Sequence, residues 1–320
     1  MSFPSPLARG YGGSPPPPAA GPAPAPAALP PLPTLAAKGR RAAPWLLGVL
    51  VVVLLGVVAY FLEALGPAAS AIGLVVALLP LAAVLVAVRY VDRWEPEPRS
   101  LVVLAVAWGA IAAVAIALGI DLLLARALGP GDPPVHAALQ SVVQAPIVEE
   151  FAKGLGVLVI FATARRAFDG PVDGVVYGAL TAAGFAFTEN IQYFAVSMIE
   201  GGTAQLTMTF FLRGILSPFA HVMFTSVTGF ALGLAARRGV KTRAALGTWV
   251  LAVAGAAALH ALWNASAQFF DFFALYATLQ VPLFVLFIVG VLMLRREERR
   301  LTAERLGEYA DALSDELVAN

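Results

Sequence analysis

The sequence predicts an all-α polytopic membrane helix bundle with about eight transmembrane helices. Three observations predict it. Hydrophobic residues make up 59% of the 320-residue chain and charged residues 13%, whereas a soluble domain carries about 25% charged residues. Mean hydropathy is +0.81, more apolar sequence than one globular core absorbs, so the bilayer is the solvent for most of the chain. Finally, apolar windows close to the ~20 residues needed to cross hydrocarbon recur along the chain, and Lys and Arg gather between alternate windows.

Residues 1–44 precede the bundle as a Pro/Ala/Gly tract with no hydrophobic period. They read as a disordered, polyproline-II-biased cytosolic tail, not a signal peptide; a Pro-rich docking arm is the less favoured reading. The transmembrane domain is expected over 45–294, with windows at 45–62, 68–88, 101–124, 138–162, 172–194, 206–235, 245–266 and 272–294. The sixth window contains Pro218, which is expected to tilt or break it. Residues 295–320 are charged and read as a cytosolic C-terminal helix.

Charge placement orients the bundle. With the N-terminus inside, all but three of the 21 basic residues fall in cytoplasmic segments, as the positive-inside rule requires. Arg126 alone falls in an outer loop, while Lys153 and Arg213 lie within windows. The reading is a multi-pass cell-membrane protein with both termini cytoplasmic. A formal net charge of +1 gives no case for a nucleic-acid partner. The chain has no cysteine, which excludes a thiol nucleophile, a disulfide framework and a thiolate metal site.

Ionisable side chains inside spans are costly and mark function. Here they are Glu149, Glu150 and Lys153 in the fourth window, Glu189 in the fifth, Arg213 and His221 in the sixth and His260 in the seventh. Asp121 reads as interfacial. Adjacent helical residues point about 100° apart, and Lys153 is at i+4 from Glu149 and i+3 from Glu150, so it reaches either. One carboxylate can then be compensated while the other stays free for acid–base work, the bland alternative being a buried ion pair that fixes packing. His260 shares a helix face with Asn264, a pair able to donate to an oxyanion or hold a ligand. Either His alone is more often a packing residue; the functional reading rests on four successive windows contributing.

Familiar hydrolase signatures are missing: there is no HExxH, no GxSG and no GxGD with a second aspartate. Ser217, four residues before His221, imitates a dyad, but helical Ser more often bonds its own backbone.

The run Glu149-Glu150-x-x-Lys153, Phe185-x-x-x-Glu189-Asn190, His221 with Gly229, and His260-x-x-x-Asn264 resembles the four signature motifs of PrsW family intramembrane proteases. Tyr90, Asp92, the run 95–98 and Asp173-Gly174-x-x-Tyr177-Gly178 are similar to flanking segments of that family. The resemblance covers roughly 85–290. It implies hydrolysis of a peptide bond in or beside the membrane segment of a membrane-anchored protein, the typical substrate being a single-span anti-sigma factor cut on its extracytoplasmic side. It implies catalytic roles for Glu149, Glu150, Lys153, Glu189, His221, His260 and Asn264. CAAX-processing relatives usually carry His where this chain has Glu189, which points to the PrsW branch. Two mechanisms stay open. Glu150, Glu189, His221 and His260 can serve as ligands of a Zn2+ site, or a metal-free glutamate base can act with a His/Asn oxyanion hole. Two other classes compete: a proton- or ion-coupled membrane transporter, and a non-catalytic membrane scaffold.

Overall fold

The computed structural model describes residues 44–129 and 133–319. The tail expected over 1–44 lies outside the described residues except for Pro44, where the first helix opens. Among the described residues there are helices and no strand. In chain order they are α1 (Pro44–Leu65), α2 (Pro67–Val91), α3 (Arg99–Ala107), α4 (Val114–Leu128), α5 (Pro133–Leu139), α6 (Ala145–Thr163), α7 (Pro171–Phe210), α8 (Ala220–Arg237), α9 (Thr242–Phe269), α10 (Phe272–Leu275) and α11 (Val281–Ala319). Four π-helical turns join some of them, at Trp108–Ala113, Gln140–Gln144, Phe211–Leu216 and Tyr276–Gln280. The packed unit ends at Ala303. Residues 304–319 continue α11 as helix, so no backbone break marks the boundary expected at 294.

Six helical stretches among the described residues are long and apolar enough to cross a membrane, against the eight expected. The difference has two physical sources. The fourth window forms α5, a π turn and α6, but Glu149, Glu150 and Lys153 make it too charged to qualify on composition. The fifth and sixth windows fall together in one stretch, Pro171–Arg237. That stretch is not straight. Gly202, at φ +62° and ψ −152°, leaves the helix in a region that favours glycine. In an unbroken helix Glu189 and Arg213 would stand about 36 Å apart; instead they form an ion pair at 2.5 Å. The chain therefore folds back at Gly202, with Ser197 bonded to Thr209 across the reversal at 2.7 Å.

Local chemistry starts and stops these helices. Pro171 supplies a fixed φ at the start of α7, and the Asp173 carboxylate accepts from the N–H groups of Asp169 and Gly170 at 2.9 and 2.7 Å. Pro218 does end the preceding helix: the backbone leaves it over Ser217–Phe219, and α8 begins at Ala220.

The first half of α7 is the centre of the bundle, packed by α2, α3, α6 and α8. Small residues permit that closeness, as helix contacts in lipid demand. A Cβ added at Gly174 would stand 2.1 Å from the Gly229 carbonyl oxygen, and one at Gly229 would stand 1.9 Å from that of Gly174. Large apolar side chains point outward on the surrounding helices, Leu251, Val86 and Val52 among them, the arrangement of a bundle solvated by lipid.

Candidate active site

The charged residues of the spans converge. α6 brings Glu149, Glu150 and Lys153 inward, α7 brings Glu189 and Asn190, α8 brings His221, and α9 brings His260 and Asn264. Glu150 and Lys153 have no exposed side-chain surface and lie 2.6 Å apart. Glu149 keeps 12% of its side chain exposed and lies 3.4 Å from the same ammonium. Lys153 thus pairs with both carboxylates, closely with Glu150 and at longer range with Glu149.

Glu150 is fully engaged. Its Oε1 faces Lys153 Nζ and, at 3.2 Å, His260 Nδ1; its Oε2 accepts from Thr225 Oγ1 at 2.8 Å. Glu189 is engaged through one oxygen, which lies 2.5 Å from Arg213 Nη2 and 3.0 Å from His221 Nε2. His221 Nδ1 lies 3.1 Å from Lys153 Nζ. The two imidazoles stand edge to face with centroids 5.0 Å apart, and Phe224 stacks on His260 at 4.8 Å. Three carboxylates stand with two fixed cations, Lys153 and Arg213.

A cavity of about 100 Å³ opens between these groups, lined by Glu149, Glu189, His221, His260 and Asn264 with Ser141, Tyr193 and Arg213. It is large enough for several waters. Asn264 Nδ2 donates to the Ser141 carbonyl at 2.8 Å, which fixes its amide at the cavity wall. Ser217 also touches the cavity, but its hydroxyl donates to the Leu212 carbonyl at 2.6 Å, as a helix-breaking Ser does, and forms no dyad with His221. Asp121 stands apart, accepting from Gln144 Nε2 at 2.6 Å.

Does this set fit a metal? Glu149, His221 and His260 each offer a donor atom, and the three lie within 4.8 Å of one another. Glu189 backs His221 through Nε2 and Glu150 backs His260 through Nδ1. His260 thus keeps its lone pair on Nε2, while that of His221, on Nδ1, faces Lys153 Nζ at 3.1 Å and would have to exchange this cation for a metal; a carboxylate behind each imidazole is the usual support of a metal-binding histidine. One carboxylate and two imidazoles make a His2Glu donor set of the kind that holds catalytic zinc with a position open. The residues fit. Of the four ligands expected from sequence, the geometry groups His221 and His260, with Glu149 as the carboxylate; Glu150 and Glu189 stand behind the rings.

The profile described as PrsW family intramembrane metalloprotease matches residues 97–291, more than half of the chain. The chain belongs to this family. Among its relatives, Protease PrsW of Geobacillus kaustophilus (strain HTA426) is 32% identical over 144 residues, which is 45% of this chain and 58% of that protein. Protease PrsW of Oceanobacillus iheyensis (strain DSM 14371 / CIP 107618 / JCM 11309 / KCTC 3954 / HTE831) is 31% identical over 97 residues, 30% of this chain and 41% of that one. The chain thus spans about half the length of the curated relatives it matches. No solved structure matches. Every residue lining the PrsW-family cavity falls inside the matched region. Arg213 and Tyr193 are among the lining residues that were not expected at the site. Arg213 was visible as a charge in an apolar window, whereas no sequence pattern marked Tyr193.

Proposed function

We propose that this chain is an intramembrane protease, a hydrolase that cuts a peptide bond in or beside the membrane segment of a single-span, anti-sigma-factor-like protein. One observation carries the reading: Glu149, His221 and His260 face one cavity, large enough for several waters, inside a helix bundle. Peptide hydrolysis needs a base, a water and donors for an oxyanion.

The roles follow from the contacts. Glu149, the carboxylate with the longest contacts, accepts a proton from a cavity water as the water oxygen bonds to the scissile carbonyl carbon. The carbonyl π electrons move onto its oxygen, and the second N–H of the Asn264 amide on the cavity wall stabilises that oxyanion. Collapse breaks the C–N bond, and Glu149 returns the proton to the departing amine. Lys153 balances the Glu150 charge throughout. In the alternative mechanism, a zinc ion held by Glu149, His221 and His260 would supply Lewis acidity and an acidified water, and Glu149 would then be a ligand in place of the base.

Of the lining residues, Ser141, Tyr193, Arg213 and Asn264 lie towards the end of the bundle where α7 reverses at Gly202 and where α9 ends at Phe269. The opposite end holds the Arg-bearing connections 92–98, 164–170 and 238–241. By the positive-inside rule the basic end is cytoplasmic, so both termini are cytoplasmic in the cell membrane and these lining residues lie on the outer side. Scission is therefore expected in the outer part of the substrate's span or just outside it.

The test is purified protein with a single-span anti-sigma-factor substrate in liposomes, wild type beside Glu149→Gln, with fragments located by mass spectrometry. An outer-side cut by wild type alone supports the reading. Absence of cleavage, with proton-coupled flux across the same liposomes, would favour a transporter. Since the chain lacks cysteine, single cysteines at Glu200 and Arg238 test orientation. Labelling of Arg238→Cys in intact cells would reverse it.

A further inference from the structure

The geometry points to Arg213 as a positioning residue that fixes Glu189, and through it the proton arrangement of His221. This rests on the active site proposed above. Arg213 lies on the π turn Phe211–Leu216, just before the break at Pro218. It is held at three points, all from a short stretch of α7. Its Nη2 reaches Glu189 at 2.5 Å, its Nε donates to Asn190 Oδ1 at 2.8 Å, and its guanidinium carbon stands 3.8 Å from the Tyr193 ring centroid. A planar fork held by two acceptors and a ring face has one orientation, which an ammonium cannot reproduce.

The consequence runs through a single atom. The Glu189 oxygen that meets Arg213 is the one that meets His221 Nε2. With its charge matched by Arg213, Glu189 is an acceptor only, so Nε2 of His221 carries the proton. On the other side of the ring, Lys153 Nζ lies 3.1 Å from Nδ1 and can only donate. Both neighbours demand the same tautomer, with the lone pair on Nδ1. Without Arg213, Glu189 loses the contact that aims it, and His221 loses one of two constraints.

Only three histidines are present, His136, His221 and His260, so ring-15N labelling resolves them, with His136→Gln for assignment. In wild type, His221 should show a protonated ε nitrogen. A protonated δ nitrogen with a bare ε nitrogen would overturn the inference without any active-site variant or cleavage assay. Arg213→Gln should mix the His221 tautomers and lower kcat about 10–100-fold, the usual cost of losing a supporting partner, with KM within about twofold. Arg213→Lys should recover part of kcat, because charge returns without the fork. Unchanged tautomer and kcat in a folded Arg213→Gln protein would also overturn it. If wild type shows the expected tautomer but cleaves no substrate, the protease reading fails while the positioning role stands.

Discussion

Glu149 and Glu150 are neighbours in sequence that share one ammonium unequally, with Lys153 Nζ 2.6 Å from Glu150 and 3.4 Å from Glu149. The closer carboxylate is sealed between Lys153, His260 and Thr225. The looser one lines the cavity. Two residues of one type are thus separated, one enclosed by side chains and one facing the cavity, by about 100° of helix rotation.

Their variants should separate in the same way. Glu149→Gln is expected to abolish cleavage at a thermal midpoint close to wild type. Glu150→Gln should destabilise as well, since it leaves Lys153 buried beside a neutral amide, and breaking a buried pair costs about 3–5 kcal/mol. Thermal unfolding in detergent beside a cleavage assay distinguishes the two. Normal cleavage by Glu149→Gln would remove the base from the mechanism.

Metal content is the next measurement. The Glu149, His221 and His260 cluster should retain about one zinc per chain after purification, and His221→Ala or His260→Ala should lose it. Full activity in demonstrably metal-free protein would instead assign water activation to Glu149 alone.

The spacing of α7 and α8 sets the Glu189–His221 distance of 3.0 Å. Gly174→Ala would drive a Cβ to 2.1 Å from the Gly229 carbonyl oxygen, where neither backbone can yield cheaply. A loss of about 1–3 kcal/mol is expected, with a lowered thermal midpoint and reduced cleavage even though Gly174 touches no reacting group. Gly247, which has nothing within 4 Å of an added Cβ, provides the control; Gly247→Ala should behave as wild type.

Glu97 gives a pH test outside the spans. It lies in the connection 92–98, accepts the Tyr177 hydroxyl, and has its carboxyl pushed from 4.5 up to about 9 by burial and by the charges of Asp173 and Asp92. The folded state therefore holds this proton more tightly than the unfolded chain. The contribution is complete below about 4.5 and is lost as pH rises through about 9. Thermal midpoints should fall as pH rises across that window, and Glu97→Gln, which mimics the protonated acid, should flatten the slope. An identical slope in the variant would show that Glu97 does not bind the proton.

The solvent, the helical class and the position of each intramembrane charge were legible in the sequence, because a bilayer accepts only long apolar helices and penalises each charge within them. Pro218 announced the helix break for a similarly local reason, its missing N–H. The spacing of Glu149, Glu150 and Lys153 announced their shared helix face. Which carboxylate faces the cavity was decided only by tertiary structure. Thr225 and His260 come from α8 and α9, and their contacts with Glu150 assign it to the interior. Arg213 and Glu189 meet only because Gly202 turns the chain back on itself. No helical period records that reversal, since it depends on one residue adopting a positive φ.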